Sequence, residues 1–131
     1  MRVVVTAQGT DLDSPTSPIF GRCPAFVFVD PETMEFEAVA NASVAAGGGA
    51  GIQAAQWVVD KGAQAVLSHN VGPNAFAVLS QAGVAVYRIE PAGTVRQAVE
   101  AYVAGRLQAI SGANVASHTG MSGMGRRGGG R

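Results

Sequence analysis

Two glycine-rich segments stand where the chain passes into helical sequence, and both could bind an anion. The first, GGGAG at 47–51, leads into the helix-like run 52–57, and the second, HNVGPNAF at 69–76, joins a strand-like run to another helical run. A helix start exposes unpaired backbone N–H groups and the positive end of the peptide dipole, and glycine lets a ligand come close to the backbone. Two such starts in one small domain predict a site for a bulky, negatively charged ligand.

Several side chains beside these segments could add charge or metal-ligating atoms. Cys23 could be a soft ligand for copper or iron, although a lone cysteine is more often a small buried hydrophobe. Arg22 could pair with an anion or simply order its own loop. His69 could ligate a metal or hydrogen bond to an anion, or lie as a partly exposed loop histidine. Asn70 and Asn74 are expected mainly to tie their loop together.

Common nucleotide-binding and catalytic motifs are absent or incomplete in the sequence. The glycines at 47–51 lack the Lys-Ser/Thr pair of a phosphate-binding P-loop, and G-x-G-x-x-A at 49–54 matches the dinucleotide fingerprint only loosely. Ser68 and His69 are adjacent at a strand end, so their side chains diverge, and no G-x-S-x-G is present. Because no nucleophile–base pair is visible, we expect a protein that is not an enzyme.

Composition and charge are those of one domain with an acidic body. The chain has 131 residues, of which 47% are apolar and 14% charged, as in ordinary globular proteins. Residues 1–110 carry six basic and nine acidic side chains, whereas 111–131 carry three arginines and no acid. An acidic body argues against nucleic acid as the main partner. With no membrane-length apolar run, no evident signal peptide and a single cysteine, we expect a cytoplasmic protein without membrane contact.

Five strand-like and three helix-like runs follow one another along the body of the chain. The strands are predicted at 2–7, 25–29, 34–40, 65–68 and 84–89, and the helices at about 50–61, 73–82 and 95–109. The second and third strands flank a turn and predict a hairpin, whereas the first, fourth and fifth are joined through helices and should be parallel. The expected fold is α/β, with a five-stranded mixed sheet in the order β-β-β-α-β-α-β-α. Ligands of such sheets lie at the carboxyl ends of the parallel strands.

The last segment, 111–131, differs from the rest. Seven of its twenty-one residues are glycine and no apolar period is present, which predicts a disordered tail after a domain at 1–110. His118, Met121 and Met124 could bind copper as soft ligands, but we expect this segment to be a flexible terminus.

Four stretches resemble the dinitrogenase iron–molybdenum cofactor-binding family. They are PIFGRCPAF at 18–26, GAGIQ at 49–53, NVGPNAF at 70–76, and the segment from AGV at 82–84 to GTV at 93–95. The resemblance covers about residues 1–107 and implies a ribonuclease-H-like three-layer α/β fold with flanking helices, without that enzyme's carboxylates. Members bind or pass on metal–sulfur clusters, including molybdenum–iron types. The orange proteins of anaerobic sulfate reducers, similar in size and layout, hold a molybdenum–copper sulfide cluster.

The resemblance implies a non-enzymatic protein that binds, stores or transfers an anionic molybdenum-containing sulfide cluster with copper or iron, exchanging it with unidentified donor or acceptor proteins. The sulfide edges of such a cluster accept hydrogen bonds, so backbone N–H groups, Arg22 and Arg88 could hold it without a covalent bond. The predicted binding residues are Arg22, Cys23, Gly48, Gly49, Gly51, His69, Asn70, Gly72 and Asn74, with Cys23 and His69 as candidate metal ligands. The alternative is a regulatory or scaffold module that binds a protein partner or a small anionic metabolite through the same loops without metal.

Overall fold

A mixed sheet with helices on both faces forms the centre of the computed structural model, which describes residues 2–41, 50–90 and 93–110. The strands in these ranges are β1 (Val3–Ala7), β2 (Ala25–Val29), β3 (Phe36–Ala40), β4 (Ala65–Ser68), β5 (Ala85–Arg88) and β6 (Gln108–Ala109). The helices are α1 (Ala50–Asp60), α2 (Pro73–Gln81) and α3 (Val95–Val103). The predicted binding residues Gly48 and Gly49, and the predicted tail at 111–131, lie outside the described residues.

The order of the strands confirms the predicted parallel centre and antiparallel hairpin. The sheet runs β3-β2-β1-β4-β5-β6. The pairs β1–β4 and β4–β5 are parallel, whereas β1–β2 and β2–β3 are antiparallel. Since strands joined by crossover helices run in the same direction, the carboxyl ends of β1, β4 and β5 meet at one edge of the sheet. We call this the carboxyl edge.

Two apolar clusters on opposite faces of the sheet explain the three layers. Val4 packs on one face with Ala54 and Val58 of α1 and with Leu79 of α2. The neighbouring strand residues Val3 and Val5 pack on the other face with Val95 and Val99 of α3. Successive side chains of a strand point to opposite faces, so a strand with a helical layer on each side must be apolar throughout. The predicted ribonuclease-H-like three-layer fold is therefore confirmed.

The end of the third helix corrects the predicted strand count. The helix ends at Val103, and Gly105 follows with a φ of 74°, a left-handed conformation that favours glycine. The chain then forms β6, antiparallel to β5. Leu107 and Ile110 pack against the two apolar clusters from this return segment rather than from the helix. The prediction of a helix over 95–109 and of five strands was wrong here, because the apolar spacing continues beyond the point where the helix ends.

Candidate functional site

The long loop after β1 is joined to the loop after β4 at the carboxyl edge. The Asn70 N–H donates to the Pro18 carbonyl at 2.8 Å, and the Phe20 N–H donates to the Asn70 carbonyl at 2.9 Å. These two backbone bonds form a short parallel pairing outside the main sheet. The segment that leads to Arg22 therefore lies directly beside the segment that follows His69.

Buried hydroxyl groups support this junction from below. The Thr6 hydroxyl, at the end of β1, donates to the Ser17 carbonyl at 2.7 Å and lies 3.1 Å from the Ser68 hydroxyl at the end of β4. Both Thr6 and Ser68 are fully buried. Polar groups buried in this way stabilise a fold only when they are hydrogen bonded, so the two hydroxyls fix the loop onto the strand ends. Thr6 and Ser68 are not among the residues predicted from the sequence. The signal that could have indicated them is a polar residue at the end of an otherwise apolar strand.

The first turns of α1 and α2 lie side by side at the same edge. A Cβ built on Gly51 would lie 3.5 Å from the Ala75 Cβ, so the two helices approach closely there. The N-cap of α2 is Gly72, which has no side chain with which to cap the helix, and Pro73 follows at its first turn. Neither first turn carries an acidic residue. The positive dipole ends of α1 and α2 therefore both lie at the carboxyl edge. Because Gly72 has no side chain, the first N–H groups of α2 have no side-chain partner at the N-cap.

The N-terminus of α3 has a different character, because its donors are already used. Thr94 and Gln97 form a reciprocal capping box. The next N–H groups, of Val95 and Arg96, donate to carbonyls of the loop after β1 at 3.0 and 2.7 Å. A ligand would have to displace these bonds to reach the N–H groups of α3. The start of α2, by contrast, has no side-chain cap, and the binding of an anion at the two glycine-rich helix starts stays a prediction.

The backbone at Gly72 does not require glycine. Its φ of −68° and ψ of 164° are ordinary extended values that any residue adopts. Among the described residues, a Cβ built at this position would meet no atom within 4 Å. The described part of the chain therefore leaves room for a side chain at Gly72, and the lack of one lets a ligand approach the backbone there.

His69 is oriented by a hydrogen bond that leaves one ring nitrogen available. Its Nδ1 lies 3.1 Å from the Ile89 carbonyl oxygen, just beyond β5. Because a carbonyl only accepts, Nδ1 carries the proton in this bond, and Nε2 of the neutral ring keeps its lone pair. A hydrogen bond of this kind commonly orients an imidazole that ligates a metal or binds a substrate. His69 is half-buried and bridges the ends of β4 and β5.

Arg22 is an exposed cation in the turn at 21–23. Within the described ranges its guanidinium has no carboxylate partner, whereas Arg2 pairs with Glu37 at 2.7 Å and Arg96 with Asp13 at 3.0 Å. The charge of Arg22 is therefore available to an external anion. Among the other predicted residues, Asn74 is exposed in the first turn of α2.

Cys23 lies beneath the carboxyl edge rather than on its surface. It is fully buried in the apolar cluster that contains Phe20 and Phe26. This burial raises the pKa of the Cys23 thiol from 9.0 to about 11, and hydrogen bonds from the surrounding backbone and Asn41 offset only part of the increase. A metal-ligating cysteine must be deprotonated. Ligand contacts by Arg22, His69 and Cys23 all stay predictions, and the raised pKa of the Cys23 thiol makes ligation by Cys23 less favourable.

The raised pKa of Cys23 predicts a loss of stability at alkaline pH. The folded state favours the neutral thiol, so this contribution is present below about pH 9 and is lost as the pH rises through about 11. Across that window, the free energy of unfolding of the wild-type protein should fall by about 2 kcal/mol more than that of Cys23→Ala. Urea denaturation of both proteins below and across the window measures the difference. Parallel pH profiles would show that the thiol ionises as easily in the folded as in the unfolded chain.

A concavity with a volume of about 580 Å³ lies at the end of the sheet opposite the carboxyl edge. Its lining includes the carboxylates of Asp30, Glu35 and Glu37, and the Arg2 cation there is already paired with Glu37. Three carboxylates make this surface unsuited to an anion.

Within the described ranges no three His, Cys, Asp or Glu side chains are grouped closely enough to hold a metal ion, and no helix is long and apolar enough to cross a membrane.

The fold is a small α/β domain in which loops and helix starts meet beyond the carboxyl ends of the parallel strands, the place where such sheets bind ligands. The family model described as dinitrogenase iron-molybdenum cofactor matches residues 1–105. The chain therefore belongs to the dinitrogenase iron-molybdenum cofactor family, as the sequence motifs indicated.

Solved structures and a curated relative agree with this assignment. The apo form of the orange protein from Desulfovibrio gigas is 43% identical, with a TM-score of 0.81 over 84% of this chain and 92% of that chain. A NifB-like protein from Thermotoga is 41% identical, with a TM-score of 0.72 over 82% and 91% of the two chains. An uncharacterized protein from Methanocaldococcus jannaschii is 30% identical over 95 residues, which span 70% of this chain and 80% of that protein.

Proposed function

We propose that this protein binds, stores or transfers an anionic metal–sulfur cluster that contains molybdenum together with copper or iron. The observation that carries the proposal is the uncapped start of α2 at Gly72, which lies at the same edge as His69 and Arg22. The Arg22 cation has no carboxylate partner among the described residues. Membership of a family named for the iron-molybdenum cofactor, and likeness to an orange protein, support a cofactor-related role.

The chemistry of the edge suits a sulfide-rich anion held without covalent bonds. Sulfide edges accept hydrogen bonds, and the donors available are the first-turn N–H groups of α2 and the guanidinium of Arg22. The Nε2 atom of His69 supplies a borderline ligand for copper or iron, or a hydrogen-bond partner for sulfide. Because residues 1–110 carry more acidic than basic side chains, this local positive region is the part of the domain that attracts an anion. Non-covalent binding is reversible, as delivery to another protein requires.

The burial of Ser68, the nucleophile next to His69, supports the proposal of a non-enzymatic role. Ser68 is fully buried and its hydroxyl lies 3.1 Å from that of Thr6, so it is not presented to a substrate beside His69. We therefore propose a cytoplasmic carrier or store that exchanges its cluster with donor or acceptor proteins, with neither nucleic acid nor membrane as a partner. In the alternative function, a regulatory or scaffold module would use the same edge for a protein or a small anionic metabolite.

Reconstitution under anaerobic conditions tests the proposal. The full chain is titrated with tetrathiomolybdate alone, with added copper(I) and with added iron(II), then separated from unbound reagents by gel filtration. We expect molybdenum and sulfide to remain with the protein in a fixed ratio with one of the two metals, together with a sulfide-to-metal charge-transfer band. Complete loss of molybdenum from the protein under all three conditions would contradict the proposal and favour the module without metal.

A further inference from the structure

One buried amide holds the turn that carries Arg22. Asn41 follows directly after β3 and is only 5% exposed. Its Nδ2 donates to the Gly21 carbonyl at 3.1 Å and to the Cys23 carbonyl at 2.9 Å. These two acceptors stand on either side of Arg22 in the chain, and a primary amide has two N–H donors with which to bind both of them. The residues that neighbour Arg22 on each side are thus fixed by the same side chain.

Asn41 is itself attached to the rigid sheet. Its backbone N–H donates to the Pro24 carbonyl at 3.0 Å, which extends the antiparallel pairing of β2 with β3 by one step beyond Ala25 and Ala40. The amide therefore links the sheet to the turn at 21–23. Buried polar groups that are hydrogen bonded make their surroundings rigid. The position of the turn is therefore set by the sheet as well as by the exposed loop.

The turn itself combines a left-handed glycine with a long backbone hydrogen bond. Gly21 has a φ of 90°, in the left-handed region, and the Arg22 N–H donates to the Ile19 carbonyl at 3.2 Å, close to the upper limit for such bonds. The Arg22 side chain is exposed and has no carboxylate partner within the described residues. The direction in which it leaves the surface is consequently set by the turn and not by contacts of its own guanidinium.

We propose that Asn41 is a positioning residue for the ligand, which acts by fixing the turn from which Arg22 reaches the anionic cluster. This inference rests on the proposed function, because Arg22 is taken to contact the cluster. Affinity gained from a preorganised contact is lost when the contact must be ordered on binding. Asn41 is not among the site residues predicted from the sequence, because its hydrogen-bond partners at 21 and 23 are distant along the chain.

A double-mutant cycle with tetrathiomolybdate and copper(I) as the probe tests this role. Asn41→Ala should weaken binding about tenfold, corresponding to the loss of one oriented contact. In the Arg22→Ala background the same substitution should have little further effect, because the residue it positions is gone. In the His69→Ala background it should again weaken binding about tenfold, since His69 lies on another loop and is oriented by Ile89.

The two backgrounds separate positioning from general destabilisation. An equal effect of Asn41→Ala in both backgrounds, or none in the wild-type protein, would overturn the role of Asn41. If Asn41→Ala does not fold, Asn41→Ser replaces it in the same cycle with the same criteria. Serine keeps one hydrogen-bond donor and leaves a smaller cavity than alanine. If the wild-type chain retains no probe, the proposed function fails and this role fails with it, which is a different result from wild-type binding without coupling.

Discussion

The Arg22→Ala/His69→Ala double variant should bind the probe of tetrathiomolybdate and copper(I) on the order of a thousandfold more weakly than the wild-type protein. The expected loss combines a charge-assisted hydrogen bond from Arg22 with a ring nitrogen of His69, whose imidazole is held by its bond to the Ile89 carbonyl. Each single variant should lose part of this affinity. Anaerobic titration followed by the charge-transfer absorbance measures the dissociation constants.

The matched control for this variant is Lys61→Ala. Lys61 follows the end of α1 and lies beside Glu37 at the opposite end of the sheet, so its substitution removes a positive charge without altering the carboxyl edge. We expect it to bind the probe within about twofold of the wild-type protein, because charges beyond a Debye length are screened. Normal uptake by the double variant would show that the site is elsewhere. An equal loss in Lys61→Ala would show that net charge alone governs binding.

Gly72→Asp should separate stability from binding. An aspartate at the N-cap of α2 would accept hydrogen bonds from the first-turn N–H groups and complement the helix dipole, so the fold should be unchanged or slightly more stable. The same carboxylate would occupy the open space in front of this helix start and repel an anionic cluster. We expect binding of the probe to fall by at least about tenfold, as for one unfavourable charge contact, while the urea midpoint stays the same or rises.

Two further variants show which property of the aspartate matters. Gly72→Ser caps the helix without charge, so it should weaken binding less than Gly72→Asp. Gln81→Glu adds the same negative charge at the other end of α2, about 13 Å along the helix axis, and should leave binding almost unchanged. Full binding by Gly72→Asp would exclude the α2 N-terminus from the site. A fall in stability that matches the fall in binding would indicate damage to the fold instead.

The architecture could be predicted because its signals are local. The apolar run at β1 indicated a strand covered on both faces, and it packs with helices on both. Pro73 as a first-turn residue and Gly83 as a stop predicted a helix at about 73–82, and the observed bounds of α2 are Pro73–Gln81. Helices between strands implied parallel pairing, which in turn predicted the carboxyl edge as the place where His69 and Gly72 meet.

Other features depend on contacts between distant parts of the chain. The apolar spacing through Leu107 and Ile110 is compatible with a helix, and only the packing of the return segment shows that β6 replaces it. Burial of Cys23, and the resulting rise in its thiol pKa, arises from a cluster with residues far along the chain. The amide of Asn41 likewise finds its acceptors across the β2–β3 hairpin. A single sequence carries no local signal for such pairings.

The metal and acid-labile sulfide content of this protein decides whether it carries a molybdenum-containing sulfide cluster. The protein is purified without oxygen from its native host, and molybdenum, copper, iron and sulfide are measured in the same sample. We expect molybdenum and sulfide in a constant ratio to protein, accompanied by copper or iron. Protein that contains neither molybdenum nor sulfide, from cells in which both are available, would contradict the proposed function.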